Sequence, residues 1–101
     1  MGNADGFSGK QPILEIGFVD LFDYSNNEAS VGIIIDDKYQ SRGFAKEALS
    51  ILSIHCFNHL DIIQLNSCVD VMNHKSNKLF VSSGYKFVRK DNNHNFYIFV
   101  R

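Results

Sequence analysis

The sequence predicts a mixed α/β (α+β) domain, in which a mostly antiparallel sheet surrounds one central βαβ unit. Three observations carry this prediction. Residues 31–35 form an apolar run, residues 44–60 have the three-and-four spacing of a helix with one buried face, and residues 65–71 alternate as a strand does. A strand, a helix and a second strand in that order favour parallel pairing, because parallel neighbours need a long crossover rather than a tight turn.

Residues 1–12 carry glycine, asparagine and serine without an apolar period, so a flexible N-terminal segment is expected there, with a single domain over 13–101. Pro12 sits just ahead of the first strand, where its missing N–H is tolerated. One strand with a single glycine is read from Ile13 through Leu21, followed by a turn at 24–27 and a second strand at 29–35. The helix should run from Gly43 to about His59. Ala45, Ala48, Leu49, Leu52, Cys56 and Leu60 form its buried face, and Lys46, Ser50 and Ser53 a wet stripe. Leu65, Ser67, Val69 and Val71 mark the next strand. A second helix starts at Asn73, a good N-cap residue, and stops at Gly84, with Tyr85 placed to pack back on it. Two strands joined by a turn at 92–95 complete the chain.

The junction Gln40-Ser41-Arg42-Gly43-Phe44-Ala45 carries the most chemistry. A turn that opens a helix presents unpaired N–H groups and the positive end of the helix dipole to one point in space. Gly43 and the small Ala45 let backbone approach an anion, and Arg42 adds a charge suited to bidentate contacts. The spacing is neither a Walker loop nor a dinucleotide fingerprint. Gln-x-x-Gly-x-Ala after a buried strand resembles the acyl-CoA pyrophosphate loop of the GNAT family of N-acetyltransferases, in the branch that acetylates ribosomal-protein N-termini, polyamines and amino sugars. Other segments follow in the family's order. Residues 16–21 resemble its third strand, 29–35 its fourth and 65–71 its fifth. Asn73-His74-Lys75-Ser76, ending in Gly84-Tyr85, resembles its second signature.

The resemblance implies a truncated GNAT-like acyl-CoA N-acyltransferase fold with acetyl-CoA as co-substrate and an amine as acceptor. It implies that the strands ending at Ile35 and Val71 splay apart, and that the pantetheine arm pairs with backbone of Ile33 and Ile35. The pyrophosphate would rest on Gln40, Ser41, Arg42, Gly43, Phe44 and Ala45, with Asn73 and Ser76 near the arm or thioester. The usual acid and base positions are unfilled: Phe80 stands where many relatives have Tyr, and Ser30 and Cys68 stand where some have Glu. Glu28, Asp70, Asn73 and His74 are the nearest remaining candidates, each with a plainer structural reading as a turn carboxylate, a sheet-surface residue, a cap and a solvated helix-start residue.

Composition sets bounds. A formal net charge of -1 gives no global attraction to nucleic acid or acidic membranes, so any anion site must be local. Cys56 and Cys68 lack metal-ligand spacing and read as buried reduced thiols, which fits a cytoplasmic setting without a bound metal. No apolar run is long enough to span a bilayer. Relatives usually have a strand, two helices and another strand ahead of the third strand, where this chain has twelve residues. That leaves the acceptor side mostly missing and a strand edge near Ile13 bare, which favours homo-oligomers. Three function classes follow. They are an N-acetyltransferase that is incomplete as this chain alone, a non-catalytic CoA or acyl-CoA binding module or degenerate remnant, and an unrelated small α/β binding domain.

Overall fold

Residues 14–16, 19–33 and 44–101 are described by the computed structural model, and within them the local sequence accounts for most of the elements. The strands are β1 (Leu14–Ile16), β2 (Val19–Ser25), β3 (Glu28–Ile33), β4 (Gln64–Asp70), β5 (Lys86–Asp91) and β6 (His94–Val100). The helices are α1 (Phe44–His59) and α2 (His74–Ser82). They form one sheet in the order β1-β2-β3-β4-β6-β5. Only β3 and β4 pair in parallel; the other neighbours are antiparallel.

Two Asn-Asn turns make the β2–β3 and β5–β6 hairpins. Asn26 and Asn27 have φ of 54° and 64°, Asn92 and Asn93 φ of 51° and 63°. A two-residue hairpin turn that matches strand twist needs positive φ at both central positions, and asparagine tolerates this better than other non-glycine residues. The turns are therefore narrower than the 24–27 and 92–95 read from sequence, and the strands reach Ser25 and restart at His94.

The single strand expected over 13–21 is in fact two. Leu14 lies opposite Leu21 and Ile16 opposite Val19, so the chain reverses between β1 and β2. The apolar positions change parity from 14 and 16 to 19 and 21, which is the trace a reversal leaves in an alternating pattern. The sheet edge expected on the strand beginning at Ile13 therefore belongs to the three-residue β1.

Both crossovers, β3 to β4 through α1 and β4 to β5 through α2, step across the sheet in the same direction. With the right-handed sense that such units adopt, both helices fall on one face. Val19, Leu21, Ala29, Val31, Leu65, Val69 and Tyr97 on that face bury against Leu49, Leu52 and Cys56 of α1 and Phe80 of α2. Ser53, expected in the wet stripe, is buried as well. It stands one turn beyond Leu49, and its hydroxyl donates to the Ser50 carbonyl at 2.9 Å, so burial leaves no donor unpaired.

Phe80 is the centre of the aromatic packing. It meets Tyr85 edge-on at 4.9 Å and stacks on Tyr97 at 6.2 Å, while Tyr85 stacks on Phe99 at 5.1 Å. Through the register, Phe22, Ser30, Asn66, Cys68, Phe96 and Ile98 share the opposite face, where no helix of the described residues packs. Cys68 is consequently exposed, contrary to the sequence reading of a buried thiol, because alternation along β4 turns it away from the helices.

Gly84 ends α2 with φ of 96°, and a Cβ there would meet Phe99 Cε1 at 3.1 Å. Gly84→Ala is therefore expected to lower the unfolding free energy by about 1–3 kcal/mol, through left-handed strain and displacement of a core ring. Gly84→Asn should cost less, since asparagine tolerates the left-handed region. Urea denaturation of both variants checks the order, and equal losses would place the cost in the contact with Phe99 rather than in φ.

Candidate functional site

The site is set by where β3 and β4 stop pairing. Glu28 faces Gln64, Ala29 faces Leu65 and Ser30 faces Asn66; beyond Ser30 and Asn66 the strands part. Val31, Gly32 and Ile33 continue in register with β2, and Ser67 to Asp70 continue in register with β6. Among the described residues no strand lies along the β4-facing edge of β3 past Ser30. A wedge thus opens at the C-terminal ends of the two parallel strands, where open α/β sheets receive ligands.

The closed end of the wedge is firmly held. Ile63 N–H donates to Asn27 O at 2.8 Å, Asn27 Nδ2 donates to Asp61 O at 2.8 Å, and Arg101 N–H donates to Ile63 O at 2.9 Å. Above these, Gln64 Nε2 donates to Asn66 Oδ1 at 2.8 Å, and Asn66 Nδ2 donates to Glu28 Oε1 at 3.1 Å. Glu28, a catalytic candidate from sequence, is thereby an acceptor in a half-buried chain at the closed end of the pair.

At the open end, β4 turns into α2. Asp70 Oδ1 accepts from Met72 N–H at 2.8 Å and shapes the turn. Asn73 caps α2, accepting from Ser76 N–H at 3.1 Å, and is itself exposed. Asp70 and Asn73 therefore have structural partners, His74 is exposed, and Ser76 is buried beneath the cap. Phe80, at the position where relatives carry Tyr, is 1% exposed and lies among core rings. Phe44 is exposed and Ala45 half-buried in the first turn of α1, and Ile33 is half-buried at the end of β3. Ile35, Gln40, Ser41, Arg42 and Gly43 lie outside the described residues.

Sequence reasoning missed Asn77. Its amide makes four hydrogen bonds: Nδ2 donates to Asp70 O at 3.0 Å and Asn73 O at 2.8 Å, and Oδ1 accepts from Asn95 Nδ2 at 2.9 Å and Tyr97 OH at 2.6 Å. It ties the start of α2 to the end of β4 and the first half of β6, and so fixes one wall of the wedge. The available signal was an asparagine inside a helix, where it is a poor former unless its amide has such partners.

Three buried hydroxyls have no partner among the described residues: Ser67 Oγ, Ser83 Oγ and Tyr85 OH. Ser67, 3% exposed, is the first β4 residue past the last β3–β4 pair. Ser83 and Tyr85 line a cleft of about 150 Å³ between α1 and α2, together with Leu49, Ser53 and Phe99. Burial holds the Tyr85 phenol well above its ordinary value, with the Cys56 charge adding to the effect, and burial pushes the Cys56 thiol up to about 11. Among the described residues, no group of three or more His, Cys, Asp or Glu could hold a metal ion. No helix among them is long and apolar enough to cross a membrane.

A mixed sheet whose single parallel pair opens into a wedge, with a helix starting beyond each strand, defines an acyl-CoA N-acyltransferase architecture. The acetyltransferase (GNAT) domain model matches residues 5–86, and the chain belongs to that family. No curated protein matches the sequence. Among solved structures, a Vibrio cholerae protein provisionally named ribosomal-protein-serine acetyltransferase is 27% identical with a TM-score of 0.69, over 74% of this chain and 49% of that one. The Campylobacter jejuni N-acetyltransferase PseH, in complex with acetyl coenzyme A, is 16% identical with a TM-score of 0.72, over 82% of this chain and 57% of that one. A spermidine N-acetyltransferase from Vibrio cholerae is 20% identical with a TM-score of 0.70, over 81% and 56%. The chain thus spans about half the length of the solved structures it resembles, and the last two likenesses establish the fold alone.

The two cysteines should separate in reactivity. A thiol reagent is expected to modify exposed Cys68 in the folded protein and Cys56 only after denaturation, as peptide mapping would show. Because the folded Cys56 pKa lies above its ordinary 9.0, its contribution to stability is complete below about pH 9 and is lost as pH rises through about 11. Urea stability should fall across that window, and Cys56→Ala should flatten the fall.

Proposed function

We propose that this chain is the acetyl-CoA-binding part of an N-acetyltransferase, with the pantetheine arm lying along the freed edge of β3 as an added strand. The observation that carries the reading is the wedge past Ser30 and Asn66. An edge with unused backbone groups is what an amide-bearing chain can pair with. The pyrophosphate would sit at the start of α1, against Ser41, Arg42, Gly43 and Ala45, with Gln40 and Phe44 flanking it. There helix N–H groups and one guanidinium favour negative charge. Ile33 and Ile35 would supply arm-pairing backbone, and Asn73 and Ser76 the opposite wall. Ser67 fits the same ligand: its orphaned hydroxyl beside the wedge would gain a partner from the arm's amides.

Acetyl-CoA supplies an activated thioester; an amine nitrogen forms the new C–N bond, the C–S bond breaks, and the thiolate leaves with the electron pair. The residues of this chain hold and orient the donor. The face opposite the helices, carrying Ser30, Asn66 and Cys68 at the wedge, is where an acceptor would approach. Glu28, Asp70 and Asn73 remain the only residues we assign to a possible proton path, and all three have structural partners. Phe80 in the core and the unfilled acid and base positions favour the alternative reading, a CoA or acyl-CoA binding module without turnover. In both readings the domain spans 13–101 and acts in the cytoplasm. In the acetyltransferase reading alone, the acceptor side would be supplied by a longer protein, a partner or a second copy.

Calorimetric titration with CoA and acetyl-CoA tests the donor site. Binding is expected to weaken as salt rises and with Arg42→Ala, and more strongly with Ala45→Glu, which puts bulk and like charge where phosphate approaches. Ser67→Ala should leave stability of the unliganded protein unchanged or higher, since it removes an unpaired buried hydroxyl, yet weaken CoA binding by about 1 kcal/mol. Absence of CoA binding to folded protein at low salt would refute the proposal.

Association should use the β1 edge. β5, the other edge, is exposed along its length and carries Lys86, Arg89 and Lys90, charges that discourage strand addition. Sedimentation is expected to show a dimer or larger species, whereas a sharp monomer at high concentration would exclude it. Across amine panels, the chain alone should show at most slow thiol release without saturation in the amine, since proximity can supply roughly 7–11 kcal/mol of the barrier only where a pocket holds the amine beside the thioester.

A further inference from the structure

Near the C-terminal end of α1 two histidines stand one turn apart. His55 is half-buried and His59 exposed, and their ring centres are 5.2 Å apart with planes inclined at 42°. Among the described residues neither ring makes a hydrogen bond. Residues four apart on a helix share a face, so the backbone already holds the rings together before any ligand arrives.

The separation has a chemical meaning. Zinc binds imidazole nitrogen at about 2.0–2.1 Å, which puts each ring centre about 3.2 Å from the metal; two such rings at the tetrahedral angle have centres about 5.2 Å apart. The observed spacing matches that value. From this geometry we propose that His55 and His59 form a two-imidazole site for a divalent late transition metal, with water filling the remaining positions. Imidazole suits zinc, nickel and copper rather than magnesium or calcium, and the general affinity order places copper above zinc. A bound ion would clamp the last turn of α1 to the turn before it.

The test is calorimetric titration with Zn²⁺ in a Cys68→Ser background, so that the exposed thiol cannot supply a ligand. One saturable site per chain is expected, with Cu²⁺ binding more tightly and Mg²⁺ not at all. His55→Ala and His59→Ala should each weaken Zn²⁺ at least tenfold, and His59→Gln, which keeps helix propensity better than most polar replacements, should do the same. Zn²⁺ should raise the thermal midpoint of the Cys68→Ser protein but not of the His59 variants. CoA binding should be the same in all of them, which separates this site from the donor site. No saturable Zn²⁺ binding, or binding unchanged in both His55→Ala and His59→Ala, overturns the proposal.

Discussion

The structure depends on the narrow parallel seam between β3 and β4. On one side β1, β2 and β3 form an antiparallel set, and on the other β4, β6 and β5 form a second. Among the described residues the two sets are joined by the register from Glu28 opposite Gln64 to Ser30 opposite Asn66, extended at its closed end by Ile63 N–H donating to Asn27 O. Were the strands paired to their ends, no edge would be left to receive a ligand. Were they unpaired throughout, the core would lose the continuity that lets α1 bury Leu49 and Leu52 over both sets. Polar side chains hold the seam on the open face, through Glu28, Asn66 and Gln64, while Ala29 and Leu65 hold it on the buried one.

Asparagine does much of the remaining structural work, in three chemically distinct ways. Asn26, Asn27, Asn92 and Asn93 accept positive φ in the hairpins. Asn73 gives a carbonyl oxygen to an orphan helix N–H, and Asn77 uses both ends of its amide to bind two strands to one helix. The common basis is a short side chain whose donors and acceptor lie close enough to the backbone to replace backbone partners.

Most of the fold was legible because its signals are local. The spacing from Ala45 to Leu60, the cap at Asn73 and the glycine stop at Gly84 each act within one or two turns of chain, and the structure has α1, α2 and the φ of 96° where they point. The reversal between Ile16 and Val19 was less legible, since a change of parity is easily absorbed into one longer strand. Ser53 and Cys68 went astray because burial depends on what lies opposite: Ser53 faces the cleft under Phe99, and Cys68 faces a side without helices. The wedge was legible only through the family resemblance, as no residue type encodes the end of pairing. The network of Asn77 depends on Asn95 and Tyr97, far along the chain, and could not be read from the helix alone.

The seam also has a cost in chain entropy. The hairpins close through two-residue turns, but the bond between Asn66 and Glu28 joins residues 38 apart. Closing that longer loop costs about 2–3 kcal/mol more than closing a tight turn, before any compensating contact is made. The non-local contact that creates the opening thus carries more of the burden of loop closure than either hairpin. Packing of α1 across both strand sets must offset it, so the helix that opens at the open end of the wedge is also the strut that keeps the two halves of the sheet together.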